Sequence, residues 1–256
     1  GAPGRRPRPT AVAGRPGEGP RPTDSVTAVP DTSYPPHREP APSALVVDGR
    51  YQFGTYDGPI ATVNPLDVAG PATSLGARAR RSLRTAGLKE WEAFQLGDDD
   101  WFVLGAVYDA KAVGLLQVLV VDKRNDSIRR WERKVPPPVV HVARGLSGTR
   151  SHGHTGGFTM SIGNELARGS LRVDASHPGH GELPPLELHG TGTCGPDQAG
   201  HLVVVHPFGD DRALYSHKVM MPFAGTLHVG ADQVGLAADR GFLILDDHHG
   251  DYPRPM

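Results

Sequence analysis

Leu243–Pro253 reads LILDDHHGDYP, an apolar run leading straight into ionisable side chains. Asp246, Asp247, His248, His249, Asp251 and Tyr252 put more proton-handling groups in one place than any other stretch of the chain. In an extended strand alternate residues share a face, so Asp246 and His248 point one way and Asp247 and His249 the other. One Asp–His pair therefore faces an interior. A carboxyl buried there keeps its proton and acts as a general acid, or it orients the imidazole as a base. The blander role for the same residues is to satisfy backbone groups at the rim of a sheet.

Other groups offer weaker chemistry. His152 and His154 flank Gly153, a spacing that places two imidazoles on one strand face, as a metal site needs. A cupin-like metalloprotein is thus one alternative. However, no carboxylate follows within Thr155–Phe158, and Glu165 comes late for that pattern. Histidines between glycines are more often solvent-exposed, so no metal ligand and no cofactor is assigned. In Tyr215–Lys218 (YSHK), Tyr215 and His217 share one face, and Ser216 and Lys218 the other. Ser216 has no G-x-S-x-G context to make it a nucleophile. Cys194 has no CxxC partner.

Strands must position these groups. Period-2 patterns and turn residues predict strands at 50–56, 88–96, 101–108, 113–121, 127–135, 157–162, 170–173, 186–189, 201–206, 213–221, 226–229 and 241–245. Pro222–Gly225 reads as a turn, and Val234–Asp239 as one helical turn. Leu75–Thr85, rich in arginine, reads as a short basic helix or an exposed loop. About a dozen short strands with no long amphipathic helix predict an all-β chain, an antiparallel sandwich or barrel.

Composition narrows the function. Residues 1–43 hold 11 of the 25 prolines and almost no large apolar side chain, the signature of a disordered tail. A net charge of −1 argues against a nucleic-acid binder. One cysteine excludes an internal disulfide framework and suits a reducing, cytoplasmic setting. No apolar run reaches the ~20 residues of a transmembrane helix. Oligomeric state has no signature here. Only three residues follow the motif that ends at Pro253, so the chain reads as a piece of a longer protein.

Gly54–Pro59 (GTYDGP) with Asn64, Leu88–Phe94 (LKEWEAF), Asp100–Phe102 (DWF), Lys218–Pro222 (KVMMP) and Asp246–Pro253 (DDHHGDYP) occur in that order. Together they resemble the domain of unknown function 2804 family from about residue 48 onward. That family is similar in architecture to lipocalin-like proteins such as carotenoid 1,2-hydratase and tocopherol cyclase. The resemblance implies a calycin-type β fold, with a lipocalin-like domain at 44–200 and the incomplete start of a second β domain at 201–256. It also implies a small apolar ligand, and acid-catalysed hydration or cyclisation if the protein is an enzyme. In that role Asp246 or Asp247 would donate the proton, with His248 or His249 as partner. Trp91, Trp101, Tyr215 and Tyr252 would line the ligand. A non-catalytic carrier of a lipid-like molecule is the other alternative.

Overall fold

The computed structural model describes residues 38–71, 73–195 and 200–253. The predicted disordered tail falls outside these up to residue 37. Residues 38–43 are described, and Glu39 N–H donates to the Thr55 carbonyl at 3.0 Å.

Among the described residues sixteen strands follow one another, most of them joined by short turns: β1 (Val46–Val47), β2 (Arg50–Tyr51), β3 (Gly54–Tyr56), β4 (Leu88–Gly97), β5 (Trp101–Asp109), β6 (Gly114–Asp122), β7 (Ser127–Val135), β8 (Val140–His141), β9 (Ser147–Thr155), β10 (Phe158–Glu165), β11 (Ser170–His177), β12 (Leu186–Thr193), β13 (Gly200–Pro207), β14 (Ala213–Val229), β15 (Asp232–Leu236) and β16 (Phe242–Asp251). The α-helix, α1 (Leu75–Gly87), settles the basic segment as helical. Ser74 caps it by accepting from Ala77 N–H at 3.2 Å.

The strands are ordered β7-β6-β5-β4-β16-β14-β12-β11-β10-β9-β8, with β13 and β15 also paired to β14, and β3 paired to β13. All these ladders are antiparallel. The sheet curls until β8 returns to β5 and β6, giving a nearly closed barrel. The all-β, lipocalin-like expectation holds.

β14 makes the curl. Its first half pairs with β13 and β16, and its second half with β12 and β15. Here the sequence misleads, because Pro222–Gly225 is not a turn but part of this 17-residue strand. On one side β13 stops at Met220 and β12 starts at Phe223. Pro222 falls in that gap, so its missing N–H costs no ladder bond there. Val234–Asp239 is corrected over its first half, where Val234–Leu236 belong to β15, while from Ala237 the chain does turn, with Arg240 N–H and Gly241 N–H both donating to the Ala237 carbonyl. Gly230 (φ +64°) turns the chain after β14, and β15 runs back along it.

The inward face is apolar over most of its area. Phe94, Leu96, Trp101, Trp131, Phe158, Met160, Phe223 and Leu243 form one buried core between the two halves of the sheet. Trp131 Nε1 donates across it to the Pro184 carbonyl at 2.9 Å. A smaller core gathers Leu45, Ile60, Val203, Val205 and Tyr215 near β3 and β13.

Candidate active site: a buried acid layer

Three adjacent strands carry the site. On β4 the inward residues are Leu88, Glu90, Glu92, Phe94 and Leu96, all buried. On β16 they are Leu243, Leu245, Asp247, His249 and Asp251, and on β14 Tyr215, His217, Val219 and Met221. Register aligns them into rows. Phe94, Leu245 and Val219 form an apolar row, next to Glu92, Asp247 and His217, next to Glu90, His249 and Tyr215. The interior is thus apolar at one end and ionisable at the other.

His249 lies wholly inside. Its Nδ1–H donates to Glu90 Oε1 and its Nε2–H to Asp247 Oδ1, both at 3.0 Å. Burial opposes a charge on the ring, but the two carboxylates outweigh it and hold the imidazole pKa up at about 9. Glu90 also accepts from Arg144 Nε at 2.8 Å and from Lys111. Against the cost of burial, His249 and Arg144 hold its carboxyl well below the usual range.

Glu92 behaves in the opposite way. Its burial, and then the charge of Asp247 opposite it, push its pKa up to about 8. It is therefore a neutral acid at pH 7. Ser151 and Asn164, both fully buried, face it from β9 and β10. Neither Glu92 oxygen has a hydrogen-bond partner of good geometry. The same is true of Asp247 Oδ2, Tyr215 Oη, His217 Nδ1 and the Asn164 amide. Burial, with Asp247 and Glu92 nearby, holds the Tyr215 phenol protonated. His217 shares a 2.9 Å hydrogen bond with His201, and burial beside that ring drops its pKa to about 3.

The layer reaches the surface at Glu90. A cavity of about 240 Å³ there is lined by Glu90, Asp109, Lys111, His141 and Arg144, with Val140 and Val142 as its apolar wall. Burial and the neighbouring His152 lower the His141 pKa.

The predicted residues divide between two faces. Asp247, His249 and Tyr215 meet inside, with the Tyr215 and His249 rings 6.0 Å apart. Asp246, His248, Trp91 and Tyr252 lie on the outer face. Asp246 pairs with Lys218 at 2.7 Å. Trp91 stacks on His248 with ring centres 3.6 Å apart, and His248 Nε2 is 2.6 Å from Tyr252 Oη. Burial, His249 and Lys218 lower the His248 pKa to about 3, which leaves it neutral. Trp101 joins neither group. It packs in the apolar core, with Arg124 4.7 Å from its ring. His152 and His154 stand exposed on β9, where His154 Nδ1 bonds Thr159 at 2.7 Å. Among the described residues no three His, Cys, Asp or Glu side chains converge as metal ligands.

Sequence reasoning passed over Glu90 and Glu92, although the signal was present. They share parity with Leu88, Phe94 and Leu96, so a strand buried on that face had to bury them too. Ser151, Asn164, Arg144 and Lys111 carry no such mark.

Residues 39–255 match the domain of unknown function family DUF2804. The chain belongs to that family. Within this DUF2804 domain, Trp91 in LKEWEAF and His248 in DDHHGDYP, two separate motifs, are brought into ring contact. No curated protein matches the chain. Among solved structures, it is similar to a crystal structure of CghA with Sch210972 (12% identity, TM-score 0.45, covering 64% of this chain and 46% of that one). A crystal structure of CghA gives 12% identity, TM-score 0.46 and 65% and 46% coverage. The chain thus spans less than half the length of these neighbours. Among the described residues no helix is long and apolar enough to cross a membrane.

Proposed function

We propose that the acid layer is an acid–base site acting on a small molecule with an apolar body and one polar end. The observation that carries this reading is Glu92, a fully buried carboxylic acid faced by Ser151 and Asn164 but with no hydrogen bond of good geometry, raised to a pKa of about 8 beside the Glu90–His249–Asp247 group. A proton donor poised near neutral pH suits protonation of a double bond or a hydroxyl, the first step of hydration or cyclisation. Asp247 stabilises positive charge that develops on the substrate, and His249 fixes the position of Asp247. The 240 Å³ cavity is smaller than a typical drug-sized pocket. Its lining offers Val140 and Val142 to the apolar body and Arg144 and Lys111 to the polar end, and it meets the acid layer at Glu90. Glu92 and Asp247 lie behind Glu90, outside the lining, so a substrate reaches them only past that residue.

The test uses small isoprenoid alkenes and alcohols incubated with the protein in heavy water, with deuterium incorporation followed by mass spectrometry. Incorporation that depends on protein and falls at least 100-fold in Glu92→Gln is expected. Incorporation unchanged by Glu92→Gln would remove Glu92 as donor. No incorporation across the panel would reject the reading.

A second reading, non-catalytic binding of an apolar ligand, draws on the outer face. There Tyr108, Trp91, His248, Tyr252 and Phe208 form a row of neighbouring rings. It expects ligand-induced quenching of tryptophan fluorescence that Trp91→Ala removes and Glu92→Gln leaves intact.

A further inference from the structure

α1 is oriented the wrong way round for a helix on a globular domain. Such a helix normally turns its leucines to the core and its arginines to water. Here Leu75 is 85% exposed and Leu83 is 66% exposed. Ala79 and Ala86 are exposed as well, and with the leucines they fall at the 4-4-3 spacing of one helix face. The face against the protein is held by Ala77 and by arginines. Arg81 Nη1 donates to the Leu66 carbonyl at 3.0 Å and its Nη2 pairs with Asp67 at 3.3 Å. Arg84 pairs with Asp211 and Asp251, each at 2.8 Å.

The remaining arginines flank the apolar stripe. Arg78 and Arg80 are exposed and make no ion pair among the described residues. No acidic residue occurs between Thr73 and Lys89. Of the nearby acids, Asp67, Asp211 and Asp251 are already committed to Arg81 and Arg84, and Asp48 lies on the Arg81 side, in the hollow it shares with Asp67. On a chain of net charge −1 this makes α1 a local cationic patch with an apolar centre.

We propose that α1 docks the protein on an anionic lipid surface. Leu75, Ala79 and Leu83 enter the boundary between headgroups and acyl chains, and Arg78 and Arg80 lie at the level of the lipid phosphates. The complementarity is twofold. A leucine stripe matches the acyl boundary, and an acid-free arginine rim matches negative headgroups. A second protein copy would have to bring the same two arginines against themselves, which like-charge repulsion opposes. The proposal does not depend on the acid–base reading of the interior.

The test is co-sedimentation of the full chain with vesicles of phosphatidylcholine alone, or with about a third phosphatidylglycerol. Binding to the anionic vesicles is expected to exceed that to neutral ones by roughly 25-fold, about fivefold for each free arginine. It should weaken as salt is raised. Leu75→Ser with Leu83→Ser, and separately Arg78→Glu with Arg80→Glu, should each abolish it. These side chains are exposed, so both variants keep the wild-type melting temperature, which is checked alongside. Equal binding to both vesicle types, binding that survives the leucine substitutions, or no binding at all overturns the proposal. So does a concentration-dependent dimer in sedimentation velocity that the leucine variant abolishes, since the stripe then belongs to a second copy.

Discussion

His249 and Glu92 sit one strand apart with opposite charge preferences, and both make stability depend on pH in the same sense. His249 is raised from 6.5 to about 9, so its contribution is complete below pH 6.5 and is lost as the pH climbs through 9. Glu92 is raised from 4.5 to about 8. The folded state therefore binds its proton more tightly than the unfolded chain, and stability falls from about pH 4.5 up to 8. Glu90, lowered, works in the other direction and is felt only in acid. The melting temperature should accordingly drop between pH 6.5 and 9, by an amount worth on the order of a few kcal/mol. Glu92→Gln should flatten the lower part of that slope and leave the His249 part. A wild-type melting curve that is level or rises over this range would contradict the assigned protonation states.

At the scale of the element, two adjoining strands each combine two chemistries by alternation. β4 sends Glu90 and Glu92 inward and Trp91 outward, and β16 sends Asp247 and His249 inward and His248 outward. Gly250 keeps the outer arrangement possible. A Cβ built there would lie 2.3 Å from Tyr252 Cε2. Gly250→Ala should displace the Tyr252 ring and break its contact with His248, seen as a change in the His248 ring signals by NMR. Because the tip of one side chain gives way, the melting temperature should move little. Gly105→Ala should behave differently, since its Cβ would meet Phe94 Cζ at 2.2 Å and Phe94 is wholly buried. Overpacking there should cost about 1–3 kcal/mol in a denaturant titration. If both alanines were equally tolerated, the packing of Phe94 over Gly105 would be wrong.

At the scale of the molecule, one apolar core is shared by both halves of the curled sheet, so they should unfold together. A single transition is expected by circular dichroism and by tryptophan fluorescence, with coincident midpoints. Trp131 ties the edge strand β7 to the β11–β12 connection across that core. Trp131→Ala should lower the midpoint by an amount equivalent to about 3–5 kcal/mol without splitting the transition. Two separate transitions in the wild-type chain would show that the halves are independent.

Alternation and turn chemistry alone establish much of this protein. They require an antiparallel β chain, place β4 to β7 nearly to the residue, and put one Asp–His pair of DDHHG inside and the other outside. These follow from a local period of 2, which needs no knowledge of neighbours. The sequence also contained, unread, the parity of Glu90 and Glu92 with Leu88 and Phe94. Neighbours decided the rest. Whether Pro222 turns or extends depended on where β13 stops and β12 begins. Which pair of DDHHG faces inward depended on the strands that flank β16. That Glu92 stays protonated depended first on its complete burial and then on Asp247 lying opposite it, 155 positions later in the chain. Desolvation and charge coupling arise from distances in space, and only the tertiary fold sets those.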